Sequence, residues 1–325
     1  MRRREFITLL GGAAAWPLAA RAQQPAMPVI GFLSARSANG GQEIVMPFRQ
    51  GLREAGFVEG QNLAIEYRWA DDRSERLPAL AADLVGRSVA VILAAGNAAA
   101  VATKGVTTSM PTVFFGSGDP ITLGLVTGLN RPGGNVTGFT SLASELVPKQ
   151  LGLLREVVPK AALVGLLVNP NNPDAASVTK AVEAAARGLG VQILALNAAS
   201  DDDIDKAFTT LVARRADAIV VGNDAFFNRR AKQLAMLAER HALPAIYGFR
   251  EYVVAGGLMS YGSSLAHECH QAGIYVGRIL KGEKPGDLPV QQPTKFDLVV
   301  NLRTAKALRL DLPLHIQQLA NEVIE

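Results

Sequence analysis

From residue 28 onward, short runs rich in Val, Ile and Leu alternate with Ala-rich amphipathic segments, and this rhythm limits the fold more tightly than any motif in the chain. A short continuous apolar run suits a strand buried on both faces, and the amphipathic segment after it suits a crossover helix packed on the sheet. The pattern therefore predicts an α/β chain with parallel sheets. Strands are expected at Val29–Leu33, Leu63–Tyr67, Val89–Leu93, Thr112–Phe115 and Val136–Phe139, with helices such as Glu43–Ala55 and Leu77–Gly86 between them. After Leu151 the rhythm restarts, with strands at Leu163–Val168, Gln192–Leu196, Ala218–Val221, Ala245–Tyr247 and Leu258–Ser260. Helices over Asp174–Leu189 and Phe227–His241 join them, the second stopped by Leu243-Pro244.

Two runs of one plan predict two Rossmann-like lobes. A further amphipathic helix, Leu265–Leu280, precedes a Gly/Pro-rich stretch and a late strand, Phe296–Val300. Returning that helix to the first lobe takes the chain between lobes near Gly138-Phe139-Thr140, Tyr261-Gly262 and Pro293-Thr294-Lys295, a three-segment hinge. The expected division is residues 28–139 plus 262–292 in an N-terminal lobe, and 140–261 plus 293–325 in a C-terminal lobe.

Residues 1–22 read instead as a cleavable export signal. Arg2-Arg3-Arg4 precedes a mildly apolar stretch that ends Ala20-Arg21-Ala22, so the mature chain is expected to start near Gln23 and to reside in the periplasm. Arg3-Arg4-Glu5-Phe6-Ile7-Thr8 before a weakly hydrophobic core has the form of a twin-arginine signal. The apolar run, broken by glycines and Pro17, falls short of the ~20 residues that span a bilayer. Removing these residues takes away four arginines and Glu5, which lowers 33 basic and 29 acidic residues to 29 and 28 and the net charge from +4 to +1. No basic stripe with interleaved aromatics remains, and nucleic acid is not an expected partner. The single cysteine, Cys269, forms no internal disulfide, and a chain of this length buries enough apolar surface without one.

In open α/β sheets ligands bind beyond the carboxyl ends of the strands, which fixes the candidate site without reference to any motif. In the first lobe the candidates are Ser34, Gly96-Asn97-Ala98 and Asp119-Pro120. Asn97 suits a cap on a helix starting at Ala98, and Asp119 with Pro120 has the form of an N-cap followed by proline. Both helix starts would aim free N–H groups at the cleft, a seat for a carboxylate. In the second lobe Asn169, Asn223-Asp224 and Tyr247 hold the equivalent positions, with Thr140-Ser141 and Tyr261 at crossings. Asp224 is a candidate partner for an ammonium, or a cap for the segment after it. Tyr247 and Phe226-Phe227 offer stacking surfaces or lobe packing, and Arg250-Glu251 pair with one another or bracket the pocket.

His267-Glu268-Cys269-His270 is the most enzyme-like cluster, but no second group of ligands accompanies it and no HExxH pattern occurs. Residues so close on one helix cannot form a nucleophilic triad, and the cluster reads as a solvated or lobe-packing helix. No nucleophile elbow, P-loop or dinucleotide fingerprint is present. Neither a metal nor a cofactor is expected, and no catalytic set emerges.

Several motifs resemble a known family. They are Asn62-Leu63-Ala64-Ile65-Glu66-Tyr67-Arg68-Trp69, Gly118-Asp119-Pro120 with Gly124-Leu125-Val126, and Arg131-Pro132-Gly133-Gly134-Asn135-Val136-Thr137-Gly138. Leu167-Val168-Asn169-Pro170, Gly256-Gly257-Leu258-Met259-Ser260-Tyr261-Gly262, Arg278-Ile279-Leu280-Lys281-Gly282 and Pro293-Thr294-Lys295-Phe296 with Asn301-Leu302 continue the series. In that order they resemble the substrate-binding proteins of ABC transporters named for tryptophan/tyrosine transport. The resemblance implies type I periplasmic-binding architecture and a small-molecule ligand, an amino acid, aromatic amino acid or related carboxylate, bound by hinge closure. It also implies a membrane permease and its ATPase as partners. Arg309 stands where the family usually carries glycine, a surface position without functional weight. A monomer is expected. Two other readings stay open, a periplasmic sensory receptor and a periplasmic hydrolase built on the histidine cluster.

Overall fold

The computed structural model describes residues 27–325, so the export-signal segment lies outside the described residues. The first sheet contains β1 (Val29–Ser34), β2 (Ala64–Trp69), β3 (Val91–Ala95), β4 (Thr112–Gly116) and β5 (Val136–Thr140). Helices α1 (Gln42–Glu54), α2 (Leu77–Gly86) and α3 (Asn97–Val106) connect the first four strands. The strand order is β2-β1-β3-β4-β5 and every pairing is parallel. Crossover helices on both faces explain why these strands read as unbroken apolar runs. Ile30 and Phe32 pack under α1 with Phe48, while Leu33 and Ile92 pack on the opposite face with Leu84. Each such side chain contributes on the order of 1.5–3 kcal/mol by leaving water.

The chain then enters a second body through α4 (Ala143–Val157). It continues through β6 (Leu163–Val168), α5 (Ala175–Leu189), β7 (Gln192–Asn197), α6 (Asp201–Ala213) and β8 (Ala218–Val221). Next come α7 (Ala225–Asn228), α8 (Ala231–Arg240), β9 (Ala245–Tyr247), α9 (Arg250–Val254) and β10 (Met259–Gly262). At this point α10 (Leu265–Leu280) leaves to pack along α1. The two helices touch through glycines: a Cβ on Gly51 would lie 1.9 Å from the His270 carbonyl, and one on Gly273 would lie 2.3 Å from the Phe48 carbonyl. The segment after α10 runs beside β5, where Gln291 N–H donates to Gly138 and Thr140 N–H donates to Gln291.

The chain returns to the second body with β11 (Asp297–Asn301), α11 (Leu302–Ala307), α12 (Leu314–Leu319) and β12 (Glu322–Ile324), giving the order β12-β11-β10-β9-β8-β6-β7. Two Rossmann-like bodies with parallel-dominated sheets result. Three details differ from the sequence reading. β11 runs antiparallel to β10, an edge addition common on otherwise parallel sheets, and β12 follows it. The helix expected over Phe227–His241 is two helices, broken where Arg229 and Arg230 turn toward the first body. Arg250 pairs with Glu322 of β12 at 2.6 Å, where a pairing with Glu251 or a place bracketing the pocket was expected. Among the described residues, no helix is long and apolar enough to cross a membrane.

Candidate functional site

The first sheet's order reverses between β1 and β3, and the equivalent reversal in the second sheet falls between β6 and β8. Crevices form at such switch points, where the loops after neighbouring strands diverge. Here the two crevices face each other across one cavity. Ala35-Arg36 and Gly96-Asn97-Ala98 line it from the first body, and Asn169 and Asn223-Asp224 from the second. The volume open to the centre of a water-sized sphere is about 80 Å³, several times the ~10–15 Å³ that one water needs.

Gly96 makes one wall possible. Its φ of +106° is a conformation glycine adopts freely, and it turns β3 directly into α3, so the helix N-terminus opens on the cavity. Asn97 is therefore the first helical residue rather than the cap. Its side-chain oxygen accepts from Ser117 N–H at 3.0 Å and Gly118 N–H at 3.1 Å, which pins the loop after β4. Its amide donates to Asn172 Oδ1 at 3.1 Å, joining the two bodies over the cavity. Ser34 lies beneath this surface and accepts from Arg36 N–H, setting the turn that brings Arg36 to the cavity wall. The Arg36 side chain is 4% exposed and its guanidinium pairs with Glu43.

In the second body Asp224 caps α7, accepting from Phe226 N–H at 2.8 Å and from Asn169 Nδ2 at 2.8 Å. Burial pushes its carboxyl above the usual carboxylate range, against the bonds from Asn169 and Phe226 that pull it down. Phe115, Phe226 and Phe249 supply apolar wall, and Leu265 and Glu268 of α10 form the side toward the crossings. Glu268 is 5% exposed and accepts from the Ser263 hydroxyl at 2.6 Å. Its burial raises the carboxyl to about 7. On the rim, Asp72 of the first body pairs with Arg229 at 2.7 Å and Arg230 at 3.2 Å of the second.

Of the residues expected at the site, Gly96, Asn97, Ala98, Ser141, Asn169, Asn223 and Asp224 line the cavity together. Thr140 stands just behind, its hydroxyl donating to the Gly118 carbonyl at 2.7 Å. Asp119 and Pro120 lie away from the lining and open a turn instead of a helix, with Asp119 accepting from Ile121 N–H at 3.0 Å. Tyr247 is fully buried and stacks on Tyr252 at 4.5 Å, well inside the second body. Tyr261 accepts from Lys149 at 2.6 Å and stacks on Phe296 at 6.0 Å, also outside the lining. Strand-end reasoning did not find Arg36, Asp72, Ser117, Asn172 or Glu268. The first four stand in the loops after β1, β2, β4 and β6, and Glu268 comes from the helix that closes the cleft's side. In the histidine cluster, His270 pairs with Glu54 at 2.9 Å and Cys269 is buried, its thiol pushed up by burial. Among the described residues no group of three or more His, Cys, Asp or Glu is placed to hold a metal.

Two Rossmann-like bodies joined over a polar cavity at facing switch points define a binding protein of type I periplasmic architecture. The family model described as ABC transporter substrate binding protein matches residues 29–324, and the chain belongs to that family. A curated relative, the tyrosine-binding protein of Clostridioides difficile, is 24% identical over 261 residues, 80% of this chain and 75% of the relative. A conserved domain protein of Vibrio cholerae superposes with a TM-score of 0.85 at 25% identity, covering 91% of this chain and 99% of that one. A Streptococcus pneumonia ABC domain solved in complex with L-Trp gives 0.82 at 22% identity over the same shares.

Proposed function

We propose that the chain is the periplasmic solute-binding component of an ABC importer and that it takes an amino acid, an aromatic one or a related carboxylate, into the cavity between its lobes. Residues 28–139 plus 262–292 act as one lobe and 140–261 plus 293–325 as the other, with three connecting segments as the hinge. The observation that carries the reading is the pairing of opposed chemistries across the cavity. The α3 N-terminus offers unpaired N–H groups suited to a carboxylate, and the half-buried Asp224 offers an acceptor suited to an ammonium. A ligand touching both lobes favours the closed arrangement and presents a joined surface to the permease and its ATPase. The tyrosine-binding relative and the L-Trp complex support an amino acid as the ligand. Residues 1–22 supply the cleavable twin-arginine signal that delivers the protein. No step of chemistry is performed on the ligand.

Isothermal titration of the mature chain with the common amino acids, paired with small-angle scattering, tests this. At least one amino acid binds and compacts the particle; an absence of both effects across the whole set overturns the reading.

A further inference from the structure

Glu268 is the one acid on the cavity wall that the proposed function leaves without a task. It sits in the first turn of α10, and one carboxylate oxygen accepts from Ser263, itself 6% exposed. The other oxygen, Oε2, has no hydrogen-bond partner among the described residues. The charged groups around it are already matched. Arg36 pairs with Glu43 of α1, Asp72 with Arg229 and Arg230, and Asp224 with Asn169 and the α7 backbone. The neighbouring Cys269 thiol is buried and brings no positive charge. The first turn of a helix favours an acid, but that preference is weak and makes no use of the second oxygen. An unmatched acid on the wall of a binding cavity is best understood as matched by what enters the cavity.

We infer that Glu268 is a second anchor for the ligand, accepting a hydrogen bond from an O–H or N–H at the far end of the side chain, and that it selects donor-bearing amino acids over their apolar counterparts. The inference rests on the amino-acid reading and deepens it. One zwitterion brings one ammonium, which Asp224 takes, and Glu268 then needs a separate donor. Phe115, Phe226 and Phe249 suit the apolar body between the two polar ends. Sites built to bond a donor reject the analogue without it far more strongly than apolar pockets reject an added group, because the site's own acceptor is left unpaired.

The test compares matched ligands on the full mature protein by calorimetry: L-tyrosine against L-phenylalanine, and L-tryptophan against its N-methylated indole analogue. The wild type binds the donor-bearing member of a pair at least about tenfold more tightly. Glu268→Leu abolishes the ratio within each pair, whereas Glu268→Gln, which retains a carbonyl acceptor, keeps part of it. Equal binding within both pairs by the wild type overturns the inference even if no variant folds, as does a preference that survives in a folded Glu268→Leu protein. Failure of the wild type to bind any of the four ligands or any other amino acid overturns the amino-acid reading, and this inference with it.

Discussion

In the proposed function Asp224 does two jobs with one carboxylate, and the two are separable. Asparagine is as good an N-cap as aspartate, so Asp224→Asn preserves the bond from Phe226 N–H and the start of α7 while removing the charge offered to an ammonium. Titration calorimetry should show amino-acid affinity down by about tenfold or more, with the melting temperature little changed. Asp174 shows a different strain. It is 3% exposed, its Oδ2 lacks a partner, and burial, followed by the Asp119 charge from the first body, raises its carboxyl from 3.8 to about 7. The folded protein therefore holds this proton over a range where the unfolded chain has released it. The contribution of this group to stability is fully present below 3.8 and is lost as pH rises through about 7. Asp174→Asn should gain on the wild type as pH rises from about 5 to about 8, by on the order of 1–2 kcal/mol in denaturant melts. A constant difference across that range would refute the assignment. The sequence showed Asn169 because it follows an apolar run directly, and Asp224 because it stands between such a run and the helix it caps. Glu268 was hidden because the histidines beside it drew attention to metal and thiol chemistry, and nothing in a linear pattern tells which face of α10 meets a cavity.

At the level of elements, the contact between α1 and α10 depends on the absence of two side chains. With carbonyl oxygens 1.9 and 2.3 Å from where Cβ atoms would stand, Gly51→Ala or Gly273→Ala forces the helices apart. Each should cost about 1–3 kcal/mol in thermal or chemical unfolding, although alanine is otherwise the better helix former. The helices and strands were largely legible: Leu77–Gly86 and Leu265–Leu280 fall where their periodicity places them. The break at Arg229-Arg230 was not legible, because amphipathic spacing runs through it and the cause is a partner far away in sequence, Asp72. The direction of β11 was hidden for a related reason. Strand composition marks burial, and burial on a sheet edge is similar whether the strand runs up or down.

For the whole molecule, the proposed closure makes affinity depend on how often the lobes meet without ligand. The Asp72 pairs with Arg229 and Arg230 and the Asn97–Asn172 bond are all made between the two bodies, so under the proposed closure they are lost when the cleft opens. Asp72→Ala removes the charged pairs without touching the ligand-facing groups Asp224 and Glu268. Surface pairs of this kind contribute on the order of 1 kcal/mol or less, and a smaller closed fraction weakens apparent affinity in proportion. A several-fold rise in Kd, with a larger radius of gyration in ligand-free scattering, is expected; unchanged values in both would show that the rim pairs play no part.

Trp69 closes β2 three residues before Asp72, with its ring stacked on Tyr67 at 6.1 Å. The other tryptophan of the chain is Trp16, within the proposed signal, so the proposed mature chain carries a single indole, packed on Phe32 in the first body. Under the proposed closure this indole is an optical gauge three residues from the Asp72 pairs. If the lobes close as proposed, the colour and intensity of its emission, excited selectively while a non-indole amino acid is added, change as they shut and give the rate of the motion without any label.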